Sequence, residues 1–480
     1  MPSPVPGVEL APPRRRHWRR YVVVAAAVVV LAAAVGITAA ARYRRALPPA
    51  VVTSALGVSV RVPGGSPSMP WPATGQAAIS VPALGVFETS GPEQPLPVAS
   101  LTKITVAAVV LHDHPLAPGN PGPAITVTAA DASTYGADAH DDQSTVPVRT
   151  GEVLSERQMI EALLLASANN LATALARWDA GSQSAFVGKM NLLAASLGMS
   201  ETHYADVSGF DPHTVSSAAD VLKVTSYAMG EPAFATAVAL RSVTVPVAGK
   251  ISNIVSEVDS GSAIGVKSGY TAAAGGCLVL ARKVTVGPSA VLVLAAVVGQ
   301  PVPPPVPPTT TTTSPPPPPT TTTTTAHPAG APASAPSPPT TAPPPPPPPP
   351  PTTTTTTFPY IPDPLRFTRP PADNLLAAVA GGVRPVTVAV SGRVVGSVGV
   401  TWSGSAHRAP VAVASSAELP GWPGLMVTQR VRLATVRPGE PRRTPAGTVL
   451  YQVGSEHVEV GLVLAAPVPT PGFWWRVTHR

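Results

Sequence analysis

Apolar and polar positions follow three rhythms along this chain. From Tyr21 to Ala41 run 21 residues without a charge, long enough to cross a bilayer as a helix. PVASLTKITVAAVVL, Pro97 to Leu111, reads as a helix from Ala99 onward that opens on two polar groups, Ser100 and Lys103. EALLLASANNLATALARW carries two helical patterns that break at Ser167-Ala168-Asn169, and Ser155 with Gln158 forms a capping box ahead of the first. The rhythm then changes to strands: Ala263 to Thr271, a turn at Gly275-Gly276, Cys277 to Arg282, and Ala290 to Val298. PPADNLLAAVAGGV, Pro370 to Val383, is helical again. Beyond it RPVTVAV and RVVGSVGVTW predict a hairpin around Ser391-Gly392, and GTVLYQV and HVEVGLVLAAP predict further strands.

At 480 residues the chain has room for two or three domains, yet 12% charged and 5% aromatic residues are few for a soluble enzyme. Two local segments account for this. One is the apolar run with its flanks: Arg14, Arg15, Arg16, Arg19 and Arg20 precede it, and Arg42, Arg44 and Arg45 follow. That asymmetry predicts a cytoplasmic basic tail over 1–20, an uncleaved transmembrane anchor over 21–41 and an external remainder, hence a single-pass protein of the cell membrane. A cleaved signal peptide, with Ala39-Ala40-Ala41 as its small-residue site, is the rival reading. The other segment, 301–357, consists largely of proline and threonine runs without a charged residue. Proline runs adopt stiff polyproline II and build no core, which predicts a disordered, exposed stretch.

Charge removes one class of function. Residues 1–45 hold eight arginines and one glutamate, the whole +7 excess of the chain. Residues 46–300 carry 12 basic and 18 acidic residues, and residues 359–480 carry 12 arginines against 6 acids. No basic face belongs to the main domain, so nucleic-acid binding lacks its electrostatic footing.

The chemistry begins at Ser100. Three residues apart on one helical face, Ser100 and Lys103 can meet, and a lysine sheltered from water can be neutral enough to take the serine's proton. S-x-x-K alone is common. Here Ser167-x-Asn169 follows 67 residues later, between two helices, and Lys267-Ser268-Gly269 another 100 residues on, in a strand. Three such motifs in this order mark serine acyl-transfer enzymes that react with penicillin.

From roughly Gln76 to Val298 the chain resembles the D-alanyl-D-alanine carboxypeptidases, the low-molecular-mass, serine-type penicillin-binding proteins. PLPVASLTKI is similar to the family's nucleophile segment, RTGEVLSERQMIEALLLASANNLATALA to its second-motif segment, LGMSETHYADVSGFDP to the loop after that helix pair, and VKSGYTAAAGGCLVLA to its third-motif hairpin. Ala168 stands where glycine, aspartate or serine is commoner, and Ser268 replaces threonine while keeping the hydroxyl. The resemblance implies an α/β penicillin-binding and β-lactamase-like transpeptidase fold: an antiparallel sheet flanked by helices, a helical subdomain and a small C-terminal β-domain. It places the catalytic domain at 60–300 and the last catalytic helix within 365–383, which makes the Pro/Thr segment an insertion, and the β-domain at 384–480.

The same resemblance implies roles. Ser100 attacks the penultimate D-alanine carbonyl of a peptidoglycan stem peptide, Lys103 is its base, and Lys267 pushes Lys103 toward neutrality while binding the terminal carboxylate. Ser167 relays a proton to the leaving D-alanine, Asn169 positions Lys103 and substrate, Ser268 adds a hydrogen bond, and Gly269-Tyr270 edge the cleft. Backbone N-H groups of Ser100 and Tyr270 form the oxyanion hole. No cofactor or metal is implied. β-Lactam antibiotics are the expected inhibitors.

Two alternatives share the scaffold: a β-lactamase-like hydrolase and a catalytically silent wall-binding protein. The first needs a deacylating carboxylate; Glu201 lies 34 residues after Ser167 but lacks an asparagine four positions on, where Ala205 stands. Cys277, the lone cysteine, reads as a small buried hydrophobe. His112-Asp113-His114 and Asp138, His140, Asp141 and Asp142 read as solvated loops, and the tail PGFWWRVTHR as an ordinary strand end.

Overall fold

The computed structural model describes residues 7, 16–141, 143–261, 263–302, 309–313, 353–357, 363–400, 402 and 408–479. Most of the basic tail and of the Pro/Thr segment therefore lies outside the described residues, as does Asp142. Within the segment, Thr309–Thr313 pairs antiparallel with Thr353–Thr357.

The catalytic unit is built on a five-stranded antiparallel sheet in the order Val266–Thr271, Gly275–Val286, Ser289–Gln300, Gln76–Val81, Val86–Thr89. Its central strands read as unbroken apolar runs because both faces are covered. Alternate residues serve two cores: Ala78, Val279, Ala281, Leu294 and Ala296 face the helical side, whereas Ala77, Ile79, Leu280, Val293 and Ala295 face the opposite one. The helical side holds Thr102–Asp113, wholly buried from Thr102 to Leu111, together with Glu156–Ala166, Asn169–Ala180, Gln183–Ser196, Ala218–Met229 and Pro232–Ala239. The opposite face is covered by helix Arg369–Gly382, whose buried Ala372, Leu375, Leu376 and Val379 recur at helical spacing. This helix reaches the sheet from the far side of the Pro/Thr segment. The expected strand at Ala263 starts instead at Val266: Gly265, at φ +106°, crosses so close to the Val238 carbonyl that any Cβ would collide with it.

The second unit is a seven-stranded sheet in the order Val51–Ser54, Val394–Gly399, Ala409–Val413, Glu456–Leu464, Pro445–Val453, Met426–Leu433, Ser59–Arg61. Both outer strands come from the segment before the catalytic unit. The expected boundary at residue 60 thus falls inside a strand of the β-domain, paired from Ser59 to Arg61 with Thr428 to Met426. The expected hairpin around Ser391-Gly392 also does not form. Arg384–Ala389 pairs with Ala417–Gly421, and Val394–Gly399 is held between Val51–Ser54 and Ala409–Val413. Gly396 permits that approach, since a Cβ there would strike the Thr53 carbonyl.

Helix Arg16–Arg44 carries an apolar window from Trp18 to Arg44, none of it buried inside the protein. The C-terminal tail is a short helix, Phe473–Thr478, rather than a strand end. It lies against the end of the long helix: the Arg42 guanidinium donates to the Val477 carbonyl, and Tyr43 packs on Phe473 with ring centres 5.6 Å apart.

Candidate active site

Ser100 sits on a 3-10 turn, Ala99–Leu101, that feeds helix Thr102–Asp113. The turn is strained and braced. Ala99 has φ +48°, unusual for a residue with a side chain. Its carbonyl accepts from Thr102 Oγ1 at 2.8 Å, and Gly209 closes on it so tightly that a Cβ would collide. The brace fixes the hydroxyl over the first helical turn, where Lys103 Nζ donates to Ser100 Oγ at 2.9 Å and to the Ser208 carbonyl at 2.8 Å.

Lys103 is fully buried. Burial brings its pKa down from the ordinary lysine range to about 7, against the opposing pull of the Asp206 and Asp138 carboxylates. Lys267, also fully buried, is pushed well below its ordinary value by burial first and by the charge of Lys103 second. The expectation gave Lys267 the task of neutralising Lys103; burial lowers the Lys103 pKa, and Lys267 is not among the causes of that shift. Lys267 Nζ donates to the Ser268 carbonyl at 2.8 Å.

The third motif lies directly beside the nucleophile. A Cβ on Gly269 would stand 2.7 Å from the Ser100 backbone nitrogen, so only glycine lets this strand come so near. Ser268 Oγ is buried without a hydrogen-bond partner among the described residues, and Tyr270 is 42% exposed at the cleft edge. Such an orphaned donor costs stability unless a ligand satisfies it.

The second motif is a turn. Ser167 closes helix Glu156–Ala166 in the left-handed region at φ +60°, and Asn169 opens the next helix. Asn169 Nδ2 donates to Gln143 Oε1 while its Oδ1 is buried with no partner among the described residues. Ser167 is buried, and among the described residues no hydrogen bond joins its hydroxyl to Ser100 or to either lysine.

Three further residues, Asp206, Gln143 and Asp138, shape the site. Asp206 accepts from the backbone N-H groups of Ser208, Gly209 and Phe210 and from Thr214 Oγ1, which folds the loop that presents the Ser208 carbonyl to Lys103. Its signal was an aspartate just ahead of Ser-Gly, a turn-former's position. Gln143 and Asp138 line the same cleft as Asn169 and Ser208. Asp138 and His140 lie on helix Ala129–His140, not in a solvated loop. His112 and Asp113 likewise end a helix, where Asp113 pairs with Lys189 at 2.8 Å and His114 with Asp179 at 3.1 Å. Cys277 is buried, as its strand position implied.

Residues 83–298 match the family model described as D-alanyl-D-alanine carboxypeptidase, a span that holds all three motifs. Residues 83–298 thus form a domain of the D-alanyl-D-alanine carboxypeptidase family. Among its relatives, D-alanyl-D-alanine carboxypeptidase DacB2 of Mycobacterium tuberculosis is 34% identical over 40% of this chain and 62% of its own length. The D-alanyl-D-alanine endopeptidase of Pseudomonas aeruginosa is 29% identical over 51% of this chain and 78% of its own. Of solved structures, the Streptomyces K15 DD-transpeptidase is 26% identical, covers 49% of this chain and 92% of its own, and has a TM-score of 0.43. The family-model match ends at residue 298, ahead of strands Val394–Gly399 to Glu456–Leu464 of the β-domain.

Proposed function

We propose that the chain is a membrane-anchored serine D-alanyl-D-alanine carboxypeptidase that removes the terminal D-alanine from peptidoglycan stem peptides. The observation that carries this reading is the 2.9 Å bond between Ser100 Oγ and the buried amine of Lys103. With its pKa near 7, that amine is neutral in a large share of molecules at neutral pH and accepts the Ser100 proton as Oγ attacks the penultimate carbonyl. Backbone N-H groups of Ser100 and Tyr270 receive the developing oxyanion, and each such donor is worth about 2.7 to 4 kcal/mol.

The carbon–nitrogen bond then breaks, and D-alanine leaves with a proton passed through Ser167. The shortened peptide stays as an ester on Ser100 until water hydrolyses it and restores the hydroxyl. Lys267 and the orphaned Ser268 hydroxyl hold the substrate's terminal carboxylate. Asn169, aimed by Gln143, positions substrate with its free oxygen.

Helix Arg16–Arg44 serves as the uncleaved anchor, with arginines 14 to 20 cytoplasmic and the catalytic unit facing the wall. In sequence, the Pro/Thr segment is an insertion within the catalytic unit, between strand Ser289–Gln300 and helix Arg369–Gly382. The test is release of D-alanine from a peptide ending in D-alanyl-D-alanine. Native protein turns over and Ser100→Ala does not; equal release by both would remove Ser100 from the chemistry.

The β-lactamase alternative gains nothing from the structure. Glu201 is not among the residues lining the cleft beside Asn169, and its backbone N-H is taken by Asp220.

A further inference from the structure

The β-domain encloses a cavity of about 630 Å³ that the acyl-transfer chemistry does not touch. It opens between the strand Arg384–Ala389 and the seven-stranded sheet, and the link from Ala55 to Gly57 forms one wall. The interior is apolar: Val395, Val413 and Val427 line it and are buried. Two polar groups interrupt those valines. Gln429 Oε1 is buried without a partner, and Tyr451, 2% exposed, makes no side-chain hydrogen bond among the described residues. Three arginines, Arg61, Arg384 and Arg393, border the opening and are exposed. None of the three pairs with a carboxylate among the described residues.

Three like charges around one opening repel each other, and a bound anion would relieve that. Guanidinium forks match phosphate oxygens in particular. A volume within the roughly 300 to 1,000 Å³ of ligand sites, apolar inside with few polar groups, fits a molecule that also has a hydrocarbon part. Position narrows the source. The apolar helix ends at Arg44, and the first wall residue, Ala55, follows 11 residues later. At about 3.3 to 3.6 Å per residue the opening stands within about 40 Å of the helix end. The Arg42 and Tyr43 contacts to helix Phe473–Thr478 hold the β-domain down on that end.

We propose that this cavity binds an anionic phospholipid, with its phosphate on Arg61, Arg384 and Arg393 and an acyl chain along the valines. The choice of a lipid rests on reading Arg16–Arg44 as the membrane anchor. The test titrates the full chain, in non-ionic detergent, with dioctanoyl phosphatidylglycerol followed by native mass spectrometry. One lipid binds per chain; dioctanoyl phosphatidylcholine binds at least tenfold more weakly. Arg384→Gln with Arg393→Gln weakens the phosphatidylglycerol complex at least tenfold, while Arg430→Gln with Arg432→Gln, on a strand of the same sheet but off the cavity lining, leaves it unchanged. Equal affinity for the two lipids, or an unaltered affinity in the first double variant, overturns the proposal. So does inorganic phosphate displacing the lipid at equal concentration, which would mean a bare anion site. Penicillin labelling of Ser100, measured on the same samples, reports folding of each variant. Because the lipid readout is binding alone, its failure and a failure of the carboxypeptidase reading give different results.

Discussion

Lys103 and Glu156 are both buried titratable groups, and burial moves them in opposite directions. Lys103 falls to about 7, so acylation by penicillin should rise about tenfold per pH unit below 7 and level off above it. A stopped-flow pH profile checks this; a flat profile from pH 5 to 8 contradicts Lys103 as the base. Its stability effect has a definite sign. Between about 7 and the ordinary lysine value the unfolded chain holds the extra proton, so this residue makes the fold more stable as pH rises through that window. Glu156 is the reverse. It is fully buried, neither carboxylate oxygen has a hydrogen-bond partner among the described residues, and burial raises its pKa to about 7. Between about 4.5 and 7 the folded state holds the proton, so stability falls as pH rises there. Glu156→Gln should therefore stabilise by about 1 to 3 kcal/mol at pH 8 and change little at pH 4, read from denaturant midpoints at both pH values.

At this scale the seven motif residues could be singled out in the sequence because local spacing or a run of motif letters marks them. Gln143 and Asp138 were not: they meet Asn169 and Lys103 only through tertiary packing. Gln143→Ala tests the first of these. Losing the acceptor that aims Asn169 should slow acylation by about 5- to 150-fold, the equivalent of roughly 1 to 3 kcal/mol, with the melting temperature little changed.

Among elements, the loop 206–214 and the turn Ala99–Leu101 hold each other. Gly209 has φ +78° and lies on the Ala99 carbonyl. Gly209→Ala adds backbone strain of about 1 to 2 kcal/mol and overpacking of about 1 to 3 kcal/mol. Thermal unfolding should show that loss, and penicillin acylation should slow because the Ser208 carbonyl shifts away from Lys103. Helices were legible through their caps: Ser155 and Gln158 bond reciprocally as a capping box. The hairpin at Ser391-Gly392 was misread because each strand's true partner lies elsewhere, Val51–Ser54 before the catalytic unit and Ala417–Gly421 after it. Alternation reveals that a strand exists but not which edge it joins.

For the whole molecule, the interleaving of the two units is the part that sequence pattern could not show. Both edges of the β-domain sheet, Val51–Ser54 and Ser59–Arg61, are short strands with few apolar residues, supplied from ahead of the catalytic unit. Removing residues 1–45 should free the protein from vesicles of phosphatidylcholine alone and leave acylation intact. Removing residues 1–63 should also uncover the edges of Val394–Gly399 and Met426–Leu433, lower the melting temperature and promote aggregation. Sedimentation with vesicles and thermal scans of the two truncations distinguish these outcomes.

The central claim, a serine made nucleophilic by a buried lysine three residues away, is tested most directly by the intact mass of the chain after incubation with benzylpenicillin, followed by peptide mapping. One penicilloyl group per chain is expected, located on Ser100 and absent from Ser100→Ala. A folded native chain that stays unmodified, or carries the adduct on another residue, would contradict it.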